Sequence, residues 1–337
     1  MITKQQTTIA VLGAGSWGTA LACLLARHNL PIVLWDHESR HITALKTKRV
    51  NERYLPGIPL PENLQVAESL EEALASADEV LIVVPSHAFR TALERAAGYL
   101  KPQAGVAWAT KGLEPDSGKL LHVVAAEVLG GDRRIAVMSG PTFAREVAEG
   151  LPTAITVASD DPDFAEQWAA RLHGMTMRAY TSNDMTGVGL GGAVKNVLAI
   201  ATGIADGLGF GANTRAALVT RGLAEMMRLG IALGGQRDTF MGLAGLGDLV
   251  LTCTDDQSRN RRLGMALGRG EPLEEALSAI GQVVEGVRTA REVRQVAKSH
   301  NIDMPITEQV YQILYAGRTP RDAGAGLLGR DLKPETL

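Results

Sequence analysis

Cysteine is almost absent: the chain has two in 337 residues, Cys23 and Cys253. They lie far apart without metal-ligand spacing, so neither a disulfide framework nor a metal site is expected. That usage suits a reduced, intracellular protein. Aromatic residues make up only 4%, so the core is expected to be aliphatic. Neither sign of charge dominates. The net charge of −3 excludes a general attraction to nucleic acid or anionic lipid, and any anion has to be bound locally. No run approaches 18 apolar residues, so no membrane span is expected. The N-terminal MITKQQTTIAVLGAG lacks a basic start followed by a long apolar run. No signal peptide is expected, and the location read from this is cytoplasmic.

What is present in quantity is glycine, 37 residues, within a chain that is 45% apolar. The length suits about two domains at roughly 100–200 residues each. Residues 8–12 (TIAVL) read as a short apolar strand, followed by Gly13-Ala14-Gly15-Ser16-Trp17-Gly18 and an amphipathic helix over 19–28. The spacing is G-x-G-x-x-G, a weak signal alone but placed here between a strand and a helix. Gly13 permits the tight turn, Gly15 lets a pyrophosphate approach the backbone, and Gly18 lets helix and strand pack closely. The N–H groups near Ser16 and Trp17 would face the phosphates. A second strand, 31–35, ends at Asp36-His37. Asp36 stands about 20 residues beyond the glycines, where a carboxylate accepts from a ribose hydroxyl.

Strands and helices then alternate. Strands are expected at 79–84, 106–109, 135–138, 153–158 and 177–180, with helices at 70–76, 88–100, 120–129 and 162–173. In a parallel sheet with crossover helices, ligands sit beyond the carboxyl ends of strands. Pro85, Lys111, Gly140 and Thr142 fall at such ends; each also suits a plain turn. Residues 48–64, rich in Pro, Gly and Asn, read as a surface excursion.

From Asn183 onward the strand signals stop. Helices are expected at 186–206, 214–233, 260–268, 273–280, 286–300 and 306–315, an all-α second domain. The first of these, starting TGVGLGGAVKNVLAIATGIADGL, holds one basic residue, Lys195, flanked by Val194, Val197 and Leu198. No acidic residue within a turn pairs with it along the helix. Desolvation there lowers a lysine's pKa and makes it usable as an acid or base near neutral pH. The alternative is a lysine snorkelling to the surface. Residues 242–249 (GLAGLGDL) read as a glycine-rich turn presenting Asp248. Ser258-Arg259-Asn260-Arg261-Arg262 opens a helix, where N–H donors and arginine make a phosphate or carboxylate site. Arg261, Arg262 and the charge run 288–298 read as solvated faces. Such a constellation suggests carbonyl/alcohol chemistry, with a lysine to exchange the proton.

The chain also resembles the NAD(P)-dependent glycerol-3-phosphate dehydrogenases of the bacterial type. The resemblance is carried by GAGSWGTALA (13–22), ATKGLE (109–114), SGPTFAREVA (139–148), GGAVKNVLAI (191–200), GLAGLGDLVLTC (242–253), SRNRRLG (258–264) and VVEGVRTA (283–290). It departs at Gly189, at Thr142, where serine is commoner, and at Asp255. The resemblance implies an α/β N-terminal Rossmann dinucleotide-binding domain, 1–184, followed by an all-α C-terminal substrate domain, 185–337. It implies reversible reduction of dihydroxyacetone phosphate to sn-glycerol 3-phosphate with NADPH or NADH, feeding glycerophospholipid synthesis. By position, Lys195 is the proton donor and acceptor. Lys111, Gly140, Thr142, Lys195, Asp248, Ser258, Arg259 and Asn260 contact the substrate. Gly13, Gly15, Ser16, Trp17, Gly18, His37, Lys111, Ala144, Arg259, Val283 and Glu285 contact the cofactor. Asp36 favours NADH and His37 favours NADPH. The partner is a small-molecule phosphate, with no metal and no nucleic acid, and a homodimer stays open. Two other readings are a β-hydroxyacid dehydrogenase, against which the Ser-Arg-Asn anion site argues, and a non-catalytic dinucleotide-binding sensor.

Overall fold

The computed structural model describes residues 7–331; the part of the N-terminal reading that rests on residues 1–6 lies outside the described residues. The chain forms two compact units. One comprises Met1–Thr110 and Leu121–Met185, the other Lys111–Leu120 and Thr186–Leu337. A single division at 184/185 does not express this, because the segment carrying Lys111 groups with the helices.

The strands in chain order are β1 (Ile9–Leu12), β2 (Ile32–Trp35), β3 (Val50–Asn51), β4 (Leu55–Pro59), β5 (Leu64–Val66), β6 (Glu79–Ile82), β7 (Gly105–Trp108), β8 (Ile135–Ser139), β9 (Thr153–Ala158) and β10 (Met177–Ser182). Eight of them make one sheet in the order β10-β9-β8-β7-β6-β1-β2-β5. The run IAVL of β1 is wholly buried, as expected of a strand covered on both faces. Order reverses at β1, which lies between β2 and β6. That is the switch point beside which such sheets bind ligands. The sheet is not wholly parallel as expected: β8 and β9 pair antiparallel. Their connection holds only the six-residue helix Ala144–Glu149, so the chain turns back beside β8 instead of crossing over. β9 and β10 therefore run against the rest.

The first helix starts earlier than expected, at Ser16, and extends to Arg27. Gly15 at its N-cap supplies no side-chain acceptor, which leaves first-turn N–H groups for another partner. Gly13 has φ +110°, and a Cβ on Gly18 would stand 1.9 Å from the Gly13 carbonyl oxygen. Residues 48–64 are not a loose excursion. The ribbon β3–β4 and strand β5 form there, with Asn51, Leu55, Ile58 and Leu60 buried. A helix, Ser39–Lys48, precedes them; its polar composition hid its short apolar stripe, Ile42 and Leu45.

In the second unit Met185–Gly207 is the long apolar helix. It is long and apolar enough to cross a membrane, yet 89% of its apolar window is buried in the protein's own fold. Leu190, Ala193, Val194 and Leu198 join one core cluster, and Val197, Ile200 and Ile204 join a second. Around it stand Ala212–Ala232, Arg237–Met241, Asp248–Thr254, Arg259–Gly268, Leu273–Ile280, Glu285–Ser299, Pro305–Tyr315 and Pro320–Leu328. Residues 243–249 are helical where a turn was expected: Leu243–Gly247 is a π-type turn running into the Asp248 helix. Arg262, Arg288, Arg291 and Lys298 are exposed as expected, but two charged residues read as solvated are buried. Arg261 is buried and ion-paired with Asp206. Glu292, within the charged run, is 1% exposed with neither carboxylate oxygen hydrogen-bonded, and burial pushes its pKa up to about 7.

The Gly13–Gly18 contact carries a direct test. Gly18→Ala forces a side chain against backbone, and such overpacking costs about 1–3 kcal/mol. The urea midpoint should fall accordingly, with the nearby Gly15→Ala, whose Cβ meets nothing within 4 Å, changing it much less.

Candidate active site

Lys195 is 6% exposed. The helix that carries it is flanked by the two core clusters, so its side chain leaves an apolar wall. Its ammonium donates to Asp248 Oδ1 and, at 2.8 Å, to Thr252 Oγ1. An ammonium has three donors, so one remains beyond these two bonds. Thr252 is fixed in turn, donating at 2.6 Å to the Asp248 carbonyl one turn back. The other Asp248 oxygen, Oδ2, accepts from Lys111 Nζ at 2.6 Å. One buried carboxylate thus joins two lysines. Gly191 allows the approach: a Cβ there would stand 2.5 Å from the Ala244 carbonyl oxygen.

Three effects act on Lys195. Burial disfavours its charged form, Asp248 favours it, and the Lys111 ammonium disfavours it again. Burial is the largest, and the pKa is pulled from 10.5 to about 7. The snorkelling alternative is excluded by the burial.

Ser258 caps the Arg259–Gly268 helix, its Oγ accepting from Arg261 N at 3.2 Å. Arg259 is half-buried and donates to the Val283 carbonyl at 2.8 Å. Burial lowers its pKa, partly offset by Glu285. Asn260 is braced at both ends: Nδ2 donates to Asn196 Oδ1 and Oδ1 accepts from Gly286 N, each at 2.9 Å. Asn196, next to Lys195, and Thr252 were missed from sequence. Thr252 had a usable signal, its place four residues after Asp248; Asn196 had only adjacency. Lys111 and Lys195 thus share the buried Asp248 carboxylate, while the charge that acts favourably on Arg259 is that of Glu285.

The glycine loop of the first unit is tied down at Gly13, whose N–H donates to the Trp35 carbonyl at 2.8 Å, and on both sides of Ala14. Asp36 Oδ2 accepts from Ala14 N at 2.8 Å, while the Ala14 carbonyl accepts from Asn51 Nδ2 at 2.8 Å and lies 3.1 Å from His41 Nε2. Asp36 Oδ1 accepts from Glu38 N at 3.1 Å and stands 3.2 Å from His37 Nδ1. Asp36 therefore holds the loop with one carboxylate oxygen and the segment after β2 with the other. The His37 side chain is 80% exposed. Trp17 Nε1 is buried with no hydrogen-bond partner. An orphan donor beside an uncapped helix start, with open space at Gly15, fits the pyrophosphate of a dinucleotide. Gly140 follows β8 so closely packed that a Cβ would stand 2.9 Å from the Ala154 carbonyl oxygen. Thr142 Oγ1 donates to the Gly140 carbonyl at 3.2 Å, and Ala144 opens the short helix behind it. Among the described residues no His/Cys/Asp/Glu group of three or more could hold a metal ion.

Comparison with known proteins covers both units. Residues 8–165 match the family model for the N-terminus of NAD-dependent glycerol-3-phosphate dehydrogenase, and residues 184–325 match that for its C-terminus. The chain is 58% identical over 332 residues to the NAD(P)+ glycerol-3-phosphate dehydrogenase of Nitrosococcus oceani, covering 98% of this chain and 96% of that one. It is 54% identical to the enzyme of that name from Tolumonas auensis, covering 97% and 98%. The crystal structure of glycerol-3-phosphate dehydrogenase from Coxiella burnetii superposes with a TM-score of 0.94 at 50% identity, covering 96% and 99%.

The lowered Lys195 pKa predicts a pH signature in stability. Between about 7 and 10.5 the unfolded chain holds this proton and the folded chain does not. Stability therefore rises with pH across that window and is flat, as far as this group goes, below it. The difference in urea unfolding free energy between the wild type and Lys195→Met should show that rise. A difference flat from pH 7 to 10 means the amine is not perturbed.

Proposed function

The chain belongs to the family of NAD-dependent glycerol-3-phosphate dehydrogenases, and we propose how its own residues carry the reaction. The enzyme is an oxidoreductase that reversibly reduces dihydroxyacetone phosphate to sn-glycerol 3-phosphate with NADPH or NADH, feeding glycerophospholipid synthesis. Membership sets aside the hydroxyacid dehydrogenase and sensor readings. The observation that carries the proposal is the buried Lys195 ammonium, held by Asp248 and Thr252 with its pKa pulled to about 7.

When bound, the nicotinamide supplies the hydride that reaches the carbonyl carbon. Lys195 gives its proton to the oxygen as charge develops there and, in the oxidative direction, takes it back. A donor whose pKa lies near the working pH does both. Asp248 keeps the amine oriented, and Lys111, on the same carboxylate, adds positive charge where the alkoxide forms. Arg259 binds the substrate phosphate, with the N–H groups of its helix start, Ser258 and the second amide N–H of Asn260. Asn260 also braces Asn196. Gly140 and Thr142 complete the substrate contacts. Holding the phosphate positions the carbonyl, and positioning of this kind supplies several kcal/mol of a barrier.

For the cofactor, Gly13, Gly15, Ser16, Trp17 and Gly18 take the pyrophosphate, supported by the orphan Trp17 N–H. His37 and Asp36 receive the adenosine ribose or its 2′-phosphate. Lys111, Ala144, Arg259, Val283 and Glu285 contact the remainder. Cofactor binding is assigned mainly to 1–184 and substrate binding to 185–337, Lys111 serving both. A cytoplasmic location is supported by the two thiols, both free and buried, as a reducing compartment keeps them. A homodimer is supported by large apolar side chains exposed on the second unit, Phe210, Ile231 and Leu328.

Lys195→Met keeps the stem and removes the proton. Its kcat should fall by roughly 10²–10⁴-fold with the dissociation constant for NADH little changed. Near-normal turnover in the folded variant would refute the assignment. Arg259→Ala should weaken dihydroxyacetone phosphate binding by about 2–5 kcal/mol and relieve inhibition by inorganic phosphate. Wild-type values for both would remove Arg259 from the phosphate site.

A further inference from the structure

Two helices of the second unit meet backbone to backbone. Met185–Gly207 has glycines at 203 and 207, and Arg259–Gly268 has glycines at 264 and 268. A spacing of four puts each pair on one face. A Cβ on Gly203 would stand 2.2 Å from the Arg261 carbonyl oxygen, and one on Gly264 2.2 Å from that of Ile200. On Gly207 it would stand 2.3 Å from the Met265 carbonyl oxygen, and on Gly268 2.4 Å from that of Ile204. Each obstacle is main chain, which cannot rotate aside as a side chain does. Two side-chain ties cross the same contact: Asn260 to Asn196 at 2.9 Å, and the buried Arg261 to Asp206.

The matched positions rise together along both helices, 196 with 260, 200 with 264 and 204 with 268. The helices therefore run in the same direction. Lys195 immediately precedes Asn196, and Arg259 immediately precedes Asn260. The two charged residues thus leave corresponding levels of the pair.

We propose that this four-glycine contact fixes the span between Lys195 and Arg259 and so selects substrate length, favouring a ketone separated from its phosphate as in dihydroxyacetone phosphate. The inference rests on the reading of Lys195 as proton donor and Arg259 as phosphate anchor. The glycines touch no substrate; they are positioning residues. An ordinary carbon contact needs about 3.5 Å, so a single Cβ drives the helices apart by roughly 1 Å. A misplacement of about 1 Å can cost about 10²-fold in rate.

The test compares dihydroxyacetone phosphate with 4-hydroxy-3-oxobutyl phosphate, longer by one methylene. The wild type should prefer the shorter by about 10–200-fold in kcat/KM, the usual worth of one methylene. Gly264→Ala should lose about 10²-fold on the shorter substrate. Its preference over the longer one should fall by about tenfold or more, while inhibition by inorganic phosphate and binding of NADH stay near wild type. Gly268→Ala, farther from Arg259, should shift the preference the same way by less. Equal losses on both substrates in a folded variant overturn the inference. Should neither variant fold, equal use of the two substrates by the wild type overturns it. Failure of the underlying reading looks different. Arg259→Ala would then keep wild-type inhibition by inorganic phosphate, and the inference would fall with it.

Discussion

The Lys195–Asp248 ion pair is the constraint on which the helical unit depends. Removing an ammonium and a carboxylate from water costs several kcal/mol per ion unless their remaining donors and acceptors are satisfied. Here the carboxylate takes Lys195 on one oxygen and Lys111 on the other, and Thr252 takes a second Lys195 donor. Replacing such a pair by packed apolar residues is often neutral or stabilising. Stability therefore does not explain the arrangement; proton transfer, the role proposed for Lys195, needs an amine that is neither permanently charged nor permanently neutral. Burial outweighs the attraction of Asp248, aided by Lys111, and the amine arrives near neutrality.

That chemistry imposes backbone geometry on its surroundings. For Lys195 to be buried, its helix must be covered on several faces, and both core clusters of the second unit draw on it. For Asp248 to reach it, the 242–248 segment must come within contact of Gly191. For the Arg259 helix to stand beside it at a fixed level, four glycines must remain bare. The abundance of glycine is thus a packing requirement of this helix as much as of the loop before Ser16.

In the first unit the comparable constraint is one residue, Ala14. The loop after β1, Gly13-Ala14-Gly15, has little side-chain mass to anchor it. Ala14 substitutes for that mass: its N–H is held by Asp36 and its carbonyl by Asn51, with His41 alongside. A carboxylate expected to read a ribose therefore also shapes the loop. Asn51 comes from the ribbon β3–β4, the stretch whose composition resembled a free loop.

The strand–glycine–helix order, the apolar strand runs, the all-helical second half and the isolation of Lys195 on an apolar helix were legible in the sequence, because periodicity and local spacing report local structure directly. Partners distant in the chain were not. Nothing local places Asp248 against residues 53 and 137 positions away, or makes Asn196 the partner of Asn260. The helical character of 243–249 was hidden by its glycines, which signal a turn when read alone and close approach once Gly191 lies opposite. Arg261 and Glu292 carry the charge of surface residues, and only packing decided that both are buried. The antiparallel turn of β9 depended on a connection too poor in helix to cross the sheet. Sequence thus determined which groups were available and on which elements. Tertiary structure decided their pairings and their pKa, because burial and charge proximity are properties of the assembled fold.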